Sequence, residues 1–162
     1  MNEQTIHRLK QLYEMKKVQI AFYLSQLSTV DDRFYHRAFS RMAEKDKEHA
    51  DYFARQLAQA DIQVPKVGGT LAEMAGSIIG QSTELSGPSI TCKTGVALCK
   101  KALSVYHEFL EELREIRTQP KLEDDLLGLL LDEEFHALWL KNYLNVLKQK
   151  ECQKSVLAEE NI

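Results

Sequence analysis

The chain has 162 residues, 44% of them apolar and 28% charged, and its formal net charge is −3. That length and balance suit one soluble globular domain and exclude the disordered, collagen-like and disulfide-dense classes. No stretch collects the dense Lys and Arg of a nucleic-acid footprint, so nucleic acid is not an expected partner.

In chain order, four segments each carry a seam that alternates in steps of three and four, the period of bundled helices. The opening MNEQTIHRLK lacks the apolar core of a signal peptide, and a cytoplasmic location is expected. A first helix over about 3–28 follows the seam Ile6, Leu9, Tyr13, Lys16, Ile20, Tyr23, Leu27. Asp31 is a suitable N-cap for a second helix, about 31–60, on Tyr35, Phe39, Met42, Asp46, His49 and Phe53. Val64-Pro65 and Gly68-Gly69 break it. A connection over 61–88 follows, with a short helix near Leu71 to Ile79. Antiparallel neighbours need only a few linking residues, so this length implies a crossover along the bundle that pairs helices 1 and 2 in one hairpin and 3 and 4 in another. The short helix covers the bundle on the plainest reading; docking on a partner or a membrane surface is the alternative.

Gly87-Pro88 starts a third helix, about 89–118, on Cys92, Val96, Cys99, Leu103, Tyr106, Leu110 and Leu113. After Gln119-Pro120 a fourth, about 121–149, carries Leu122, Leu126, Leu129, Glu133, His136, Leu140, Tyr143 and Leu147, and residues 150–162 form a polar tail expected to fray. The longest apolar run, Leu126 to Leu131 with its glycine, is too short for a transmembrane segment. Three cysteines, Cys92, Cys99 and Cys152, form no CxxC pair and suggest reduced thiols rather than a disulfide. The fold class expected is all-α, a four-helix bundle with ferritin-like connectivity.

Five seam positions are polar: Lys16, Asp46, His49, Glu133 and His136. Burying such groups is costly unless they are paired, hydrogen-bonded or bound to metal. Asp46 with His49 and Glu133 with His136 are acid-x-x-His pairs, and i, i+3 spacing puts both members of a pair on one helix face. His7, His36 and His107 lie off the seams. A carboxylate can bridge two metal ions while imidazole caps one, and a di-iron bundle takes one such pair from each of two helices and a carboxylate from each of the others. Here helix 1 offers Lys16 at that level and helix 3 offers Cys99 and Leu103. Glu14, Glu108, Glu111 and Glu112 face outward and read as surface.

With EKDKEHADYF on helix 2 and DEEFHALWL on helix 4, residues 8–148 resemble the ferritin-like di-iron carboxylate superfamily. The layout is most similar to the demethoxyubiquinone hydroxylase family, in the 30 residues from Lys16 to Asp46, the 87 from Asp46 to Glu133 and the Gly-punctuated crossover; rubrerythrins look more distant. The resemblance implies metal ligands at Asp46, His49, Glu133 and His136, and sets Lys16 and Cys99 where the family has glutamates. Losing two anionic ligands and gaining an ammonium disfavours a pair of divalent cations.

Three readings stay open at this point. In one, the centre is metal-free, with protonated Lys16 in the place of the metal charge and the bundle acting as a non-catalytic scaffold or binding protein. In the second, Asp46, His49, Glu133 and His136 hold one ion of iron, manganese or zinc. In the third, Glu14 or water completes a dinuclear centre. The leading expectation is a metal-binding protein of the di-iron oxidoreductase lineage, a hydroxylase or monooxygenase if it is an enzyme. Tyr13, Tyr23, Tyr106 and Tyr143 are read as core tyrosines before redox groups, and Cys99 as a small buried hydrophobe before a ligand. No flavin, nucleotide or phosphate motif is present, so any electron donor is expected to be a separate protein. Phe22, Leu24, Phe109 and Trp139 are more apolar surface than one face needs and suggest a homodimer.

Overall fold

The computed structural model describes residues 1–28, 32–64 and 87–159. Helix α1 spans Glu3–Ser25, α2 Arg33–Gln59, α3 Pro88–Ile116 and α4 Pro120–Glu159, with a single 3₁₀ turn at Gln26–Ser28 after α1. Among the described residues there is no strand. The expected short helix at Leu71 to Ile79 lies outside the described residues.

Local chemistry sets the ends. The Asn2 side chain accepts from the Thr5 amide at 2.7 Å and caps α1. Asp32, not Asp31, caps α2, accepting from the Phe34 and Tyr35 amides at 2.8 and 3.2 Å. Pro88 opens α3, where its missing N–H is no loss. Arg117 closes α3 in the left-handed region at φ 54°, its amide bonding the Leu113 carbonyl at 2.9 Å. Helix α4 runs ten residues past its expected end at 149. The segment read as a fraying tail is rich in Lys, Gln, Glu, Leu and Ala and holds neither Gly nor Pro through Glu159, so nothing in it stops a helix already propagating.

Helix α1 packs along α2 and α3 along α4; α1 meets α3 less closely, and α2 and α4 stand further apart and meet through long side chains such as Tyr52 with Asp125 and Phe39 with Trp139. Gly95 lets the helices close in, since a Cβ there would stand 2.8 Å from a Leu140 methyl. The core is split in two. One part gathers Leu9, Leu12, Phe53, Leu57, Leu98 and Leu126, the other Tyr23, Tyr35, Phe39, Cys92, Leu140 and Tyr143. The buried face of α3 is wider than its expected seam, taking in Leu98, Ala102, Val105 and Phe109. Phe109 is therefore core and not surplus surface, and Phe22 packs partly buried against both clusters. No helix among the described residues is long and apolar enough to cross a membrane.

Candidate metal centre

Between the two apolar clusters lies a buried polar layer: Lys16 and Gln19 from α1, Asp46 and His49 from α2, Glu133 and His136 from α4. The helical period stacks each acid one turn from its histidine. All five polar seam residues are at most 7% exposed, and Lys16, Asp46 and Glu133 are fully buried. Asp46, Glu133 and His136 each bring a ligand atom within 4.8 Å of the others, so Asp46 of α2 does meet the acid–histidine pair of α4.

Lys16 sits at the centre. Its Nζ donates to Asp46 Oδ1 at 2.9 Å and to Glu133 Oε2. The Gln19 amide donates to the other oxygen, Glu133 Oε1, at 2.5 Å. Burial works against the Lys16 charge, but Asp46 and Glu133 outweigh it and hold its pKa well above the ordinary lysine value. Burial pushes the Asp46 carboxyl up, with Lys16 opposing. Burial would raise Glu133 as well, but Lys16 and the Gln19 hydrogen bond hold it below its usual value. Glu133 is thus the firmer anion of the two.

The two histidines of the layer, His49 and His136, are held neutral at pH 7. Burial and then the Lys16 charge push His49 down to about 4, and burial pushes His136 down to about 4 against the attraction of Glu133. Their Nδ1 atoms lie 3.9 and 3.8 Å from Asp46 Oδ1. On its far side His49 Nε2 meets Asp132 Oδ2 at 3.0 Å. A neutral imidazole must donate to that carboxylate through Nε2–H, which leaves the lone pair on Nδ1, turned toward Asp46. This is the carboxylate–histidine arrangement that orients a metal ligand from behind.

Helix α3 supplies no acid to the layer. Cys99 is buried and 3.4 Å from the Tyr23 hydroxyl, and burial holds its thiol protonated, which makes it a poor ligand. The Tyr106 ring lies 5.6 Å below Lys16 Nζ. Tyr23 meets His136 edge to face at 6.0 Å, while Tyr143 bonds Asp32 at 2.8 Å, away from the layer. Tyr13 is only half-buried. Glu108 and Glu112 are tied to Arg8 at 2.9 and 2.6 Å, and neither they, Glu111 nor Glu14 joins the group of potential ligands. Gln19 and Asp132 were missed by the seam count. Gln19 lies three residues after Lys16 and Asp132 directly precedes Glu133, so each has a sequence signal, though neither falls on the chosen seam.

The donor set decides which ions fit. Two bridged cations do not, because the Lys16 ammonium stands between the two carboxylates that would bridge them and Cys99 adds no anion. One cation has three ligands that meet, Asp46, Glu133 and His136, while His49 lies outside that group. Asp46 Oδ2, His49 Nδ1 and His136 Nδ1 are buried without a hydrogen-bond partner, and the ammoniums of Lys16 and Lys45 against the carboxylates of Asp46, Glu133 and Asp132 leave a formal charge of −1.

No protein-family model and no curated protein matches the sequence. Among solved structures, a ferritin-like, diiron-carboxylate protein from Bacillus anthracis str. Ames is similar, with a TM-score of 0.73 and 14% identity over 89% of this chain and 99% of that one. At that identity the likeness concerns the fold: this chain is a ferritin-like, all-α four-helix bundle.

Proposed function

We propose that this chain is a ferritin-like metal-binding protein with a centre for one divalent transition-metal ion, held by Asp46, His49, His136 and Glu133. The observation that carries it is the set of three unpartnered buried donors, Asp46 Oδ2, His49 Nδ1 and His136 Nδ1, in one layer. Two imidazoles with carboxylates suit iron, manganese or zinc. A bound ion would supply Lewis acidity or, with iron or manganese, one-electron chemistry. Asp132 would hold the His49 ring in its ligating tautomer. Lys16 and Gln19 would fix the Glu133 carboxylate and exclude a second ion. The four-carboxylate chemistry of demethoxyubiquinone hydroxylases does not carry over with the helix spacing, because Lys16 and Cys99 stand at two of its ligand positions. A cytoplasmic location and a separate electron donor belong to the same proposal.

A second reading, a metal-free scaffold, is favoured by the two hydrogen bonds of Lys16 to Asp46 and Glu133. Titration of the stripped protein with Mn(II) separates the two. A single-ion centre takes up one equivalent, and Asp46→Asn or His136→Ala abolishes uptake. No uptake, or uptake that both variants keep, gives the site to the metal-free reading.

A further inference from the structure

On the face shared by α2 and α4 lies a groove of about 540 Å³, within the range of small-molecule sites. Its apolar wall is Phe34, Met42, Phe135, Leu138 and Trp139. Phe34, Phe135 and Leu138 are 62%, 67% and 51% exposed, a contiguous apolar surface that no other described part of the chain covers. Arg37 and Arg41 line the same groove, and no carboxylate among the described residues does. Arg41 reaches Glu44 at 2.9 Å, but both partners stand in solvent, 72% and 62% exposed, and bind each other weakly. The groove also reaches His136, which belongs to the buried layer.

We propose that this groove binds a small amphipathic anion, an apolar chain or ring system with a single carboxylate or similar head, and that this is the class of substrate presented to the centre beside His136. The head pairs with Arg37 and Arg41, and the body lies on Phe135, Leu138 and Trp139. Two guanidinium groups beside an apolar wall, one of them paired only with the solvent-exposed Glu44, select an anion with an apolar body over a neutral lipid. They also disfavour a second copy, since a two-fold contact sets the same patch against itself and brings the arginines of both chains together. The substrate assignment rests on the single-ion reading; the binding does not.

Trp139 is the only tryptophan and stacks on Tyr143 at 5.0 Å, so its emission reports on the groove. Stripped protein titrated with dodecanoate below its micelle concentration should show a saturable change in that emission. Arg37→Ala and Arg41→Ala, both at exposed positions, should each weaken dodecanoate roughly fivefold, leaving weaker dodecanol binding and the melting temperature unchanged. Leu138→Asp should abolish both. In Mn(II)-loaded protein, saturating dodecanoate should alter the Mn(II) electron paramagnetic resonance spectrum. Absence of saturable binding, or binding indifferent to both arginine variants, overturns the site. So does recruitment to phosphatidylglycerol vesicles without binding of free dodecanoate, or a dimer that Leu138→Asp dissociates. An unchanged Mn(II) spectrum overturns the substrate assignment, as does failure to bind Mn(II), while dodecanoate binding then leaves the groove standing and refutes only the single-ion reading.

Discussion

Lys16→Met keeps the length and apolar stem of the side chain and deletes its ammonium, leaving Asp46 and Glu133 fully buried and facing each other. Removing one partner of a buried ion pair costs about 3–5 kcal/mol, less what is recovered when a carboxyl takes up a proton. For a chain of this length that is a fall in melting temperature of roughly 6–20 °C, read by calorimetry in the presence of a chelator. The sign of the pH dependence follows from linkage. Without Lys16 both carboxyls have folded pKa values above their unfolded ones, so the folded form keeps protons that the unfolded form has released. Stability then falls as pH rises through the folded values, and the deficit against the parent should be smallest near ~pH 4 and should keep growing through pH 7, since burial pushes Asp46 up to about 7 even with Lys16 opposing. A divalent ion should replace the missing charge, so Mn(II) or Zn(II) should raise the melting temperature more in Lys16→Met than in the parent. A variant within about 2 °C of the parent, under ~1 kcal/mol, or a deficit that does not grow with pH, would refute the charge role given to Lys16.

Asp132→Asn removes the anion behind His49 and should weaken Mn(II) binding roughly 10- to 100-fold with the fold intact, checked by calorimetric titration; unchanged affinity would detach Asp132 from the centre. His49 and His136 have folded pKa values of about 4 against about 6.5 unfolded, so the unfolded chain gains protons first as pH falls. The metal-stripped protein should therefore lose stability between ~pH 6.5 and 4, by up to about 3 kcal/mol per imidazole, with the raised Asp46 carboxyl offsetting part of it. Urea midpoints that stay flat over that window would contradict the buried neutral histidines. A homodimer is expected through apolar surface outside the groove, where Leu127 and Leu131 are 44% and 46% exposed; sedimentation showing only monomer at tens of micromolar would refute it.

The bundle was legible because the seams are long and the period is unambiguous: on α2, Tyr35, Phe39, Met42, Asp46, His49 and Phe53 are all buried as the spacing implies. The layer was legible because an ionisable residue on an apolar seam is costly, and cost marks a position. The rest failed for specific reasons. Gln19 was passed over because a step of three and a step of four from Lys16 are equally good helical neighbours, and Ile20 looked the better core residue; Gln19 is buried at 1%. Asp132 acts from the flank, across from His49, and no periodicity on one helix reveals a partner on another. The capping residue was off by one because Asp31 and Asp32 are equivalent in type. The exposed aromatic groove brings residues of α2 and α4 onto one face, which is a tertiary property; Phe34 and Phe135 sit off their seams and look like ordinary surface residues in sequence.

Anomalous diffraction from crystals soaked in Mn(II), recorded at the manganese edge, tests the central assignment directly. A single-ion centre gives one peak per chain, about 2.2 Å from donor atoms of Asp46, His49, His136 and Glu133, with Lys16 still bonded to Glu133. Two peaks about 3.5–4 Å apart would restore the dinuclear centre that Lys16 is held to exclude, and no peak in this layer would give it to the metal-free network.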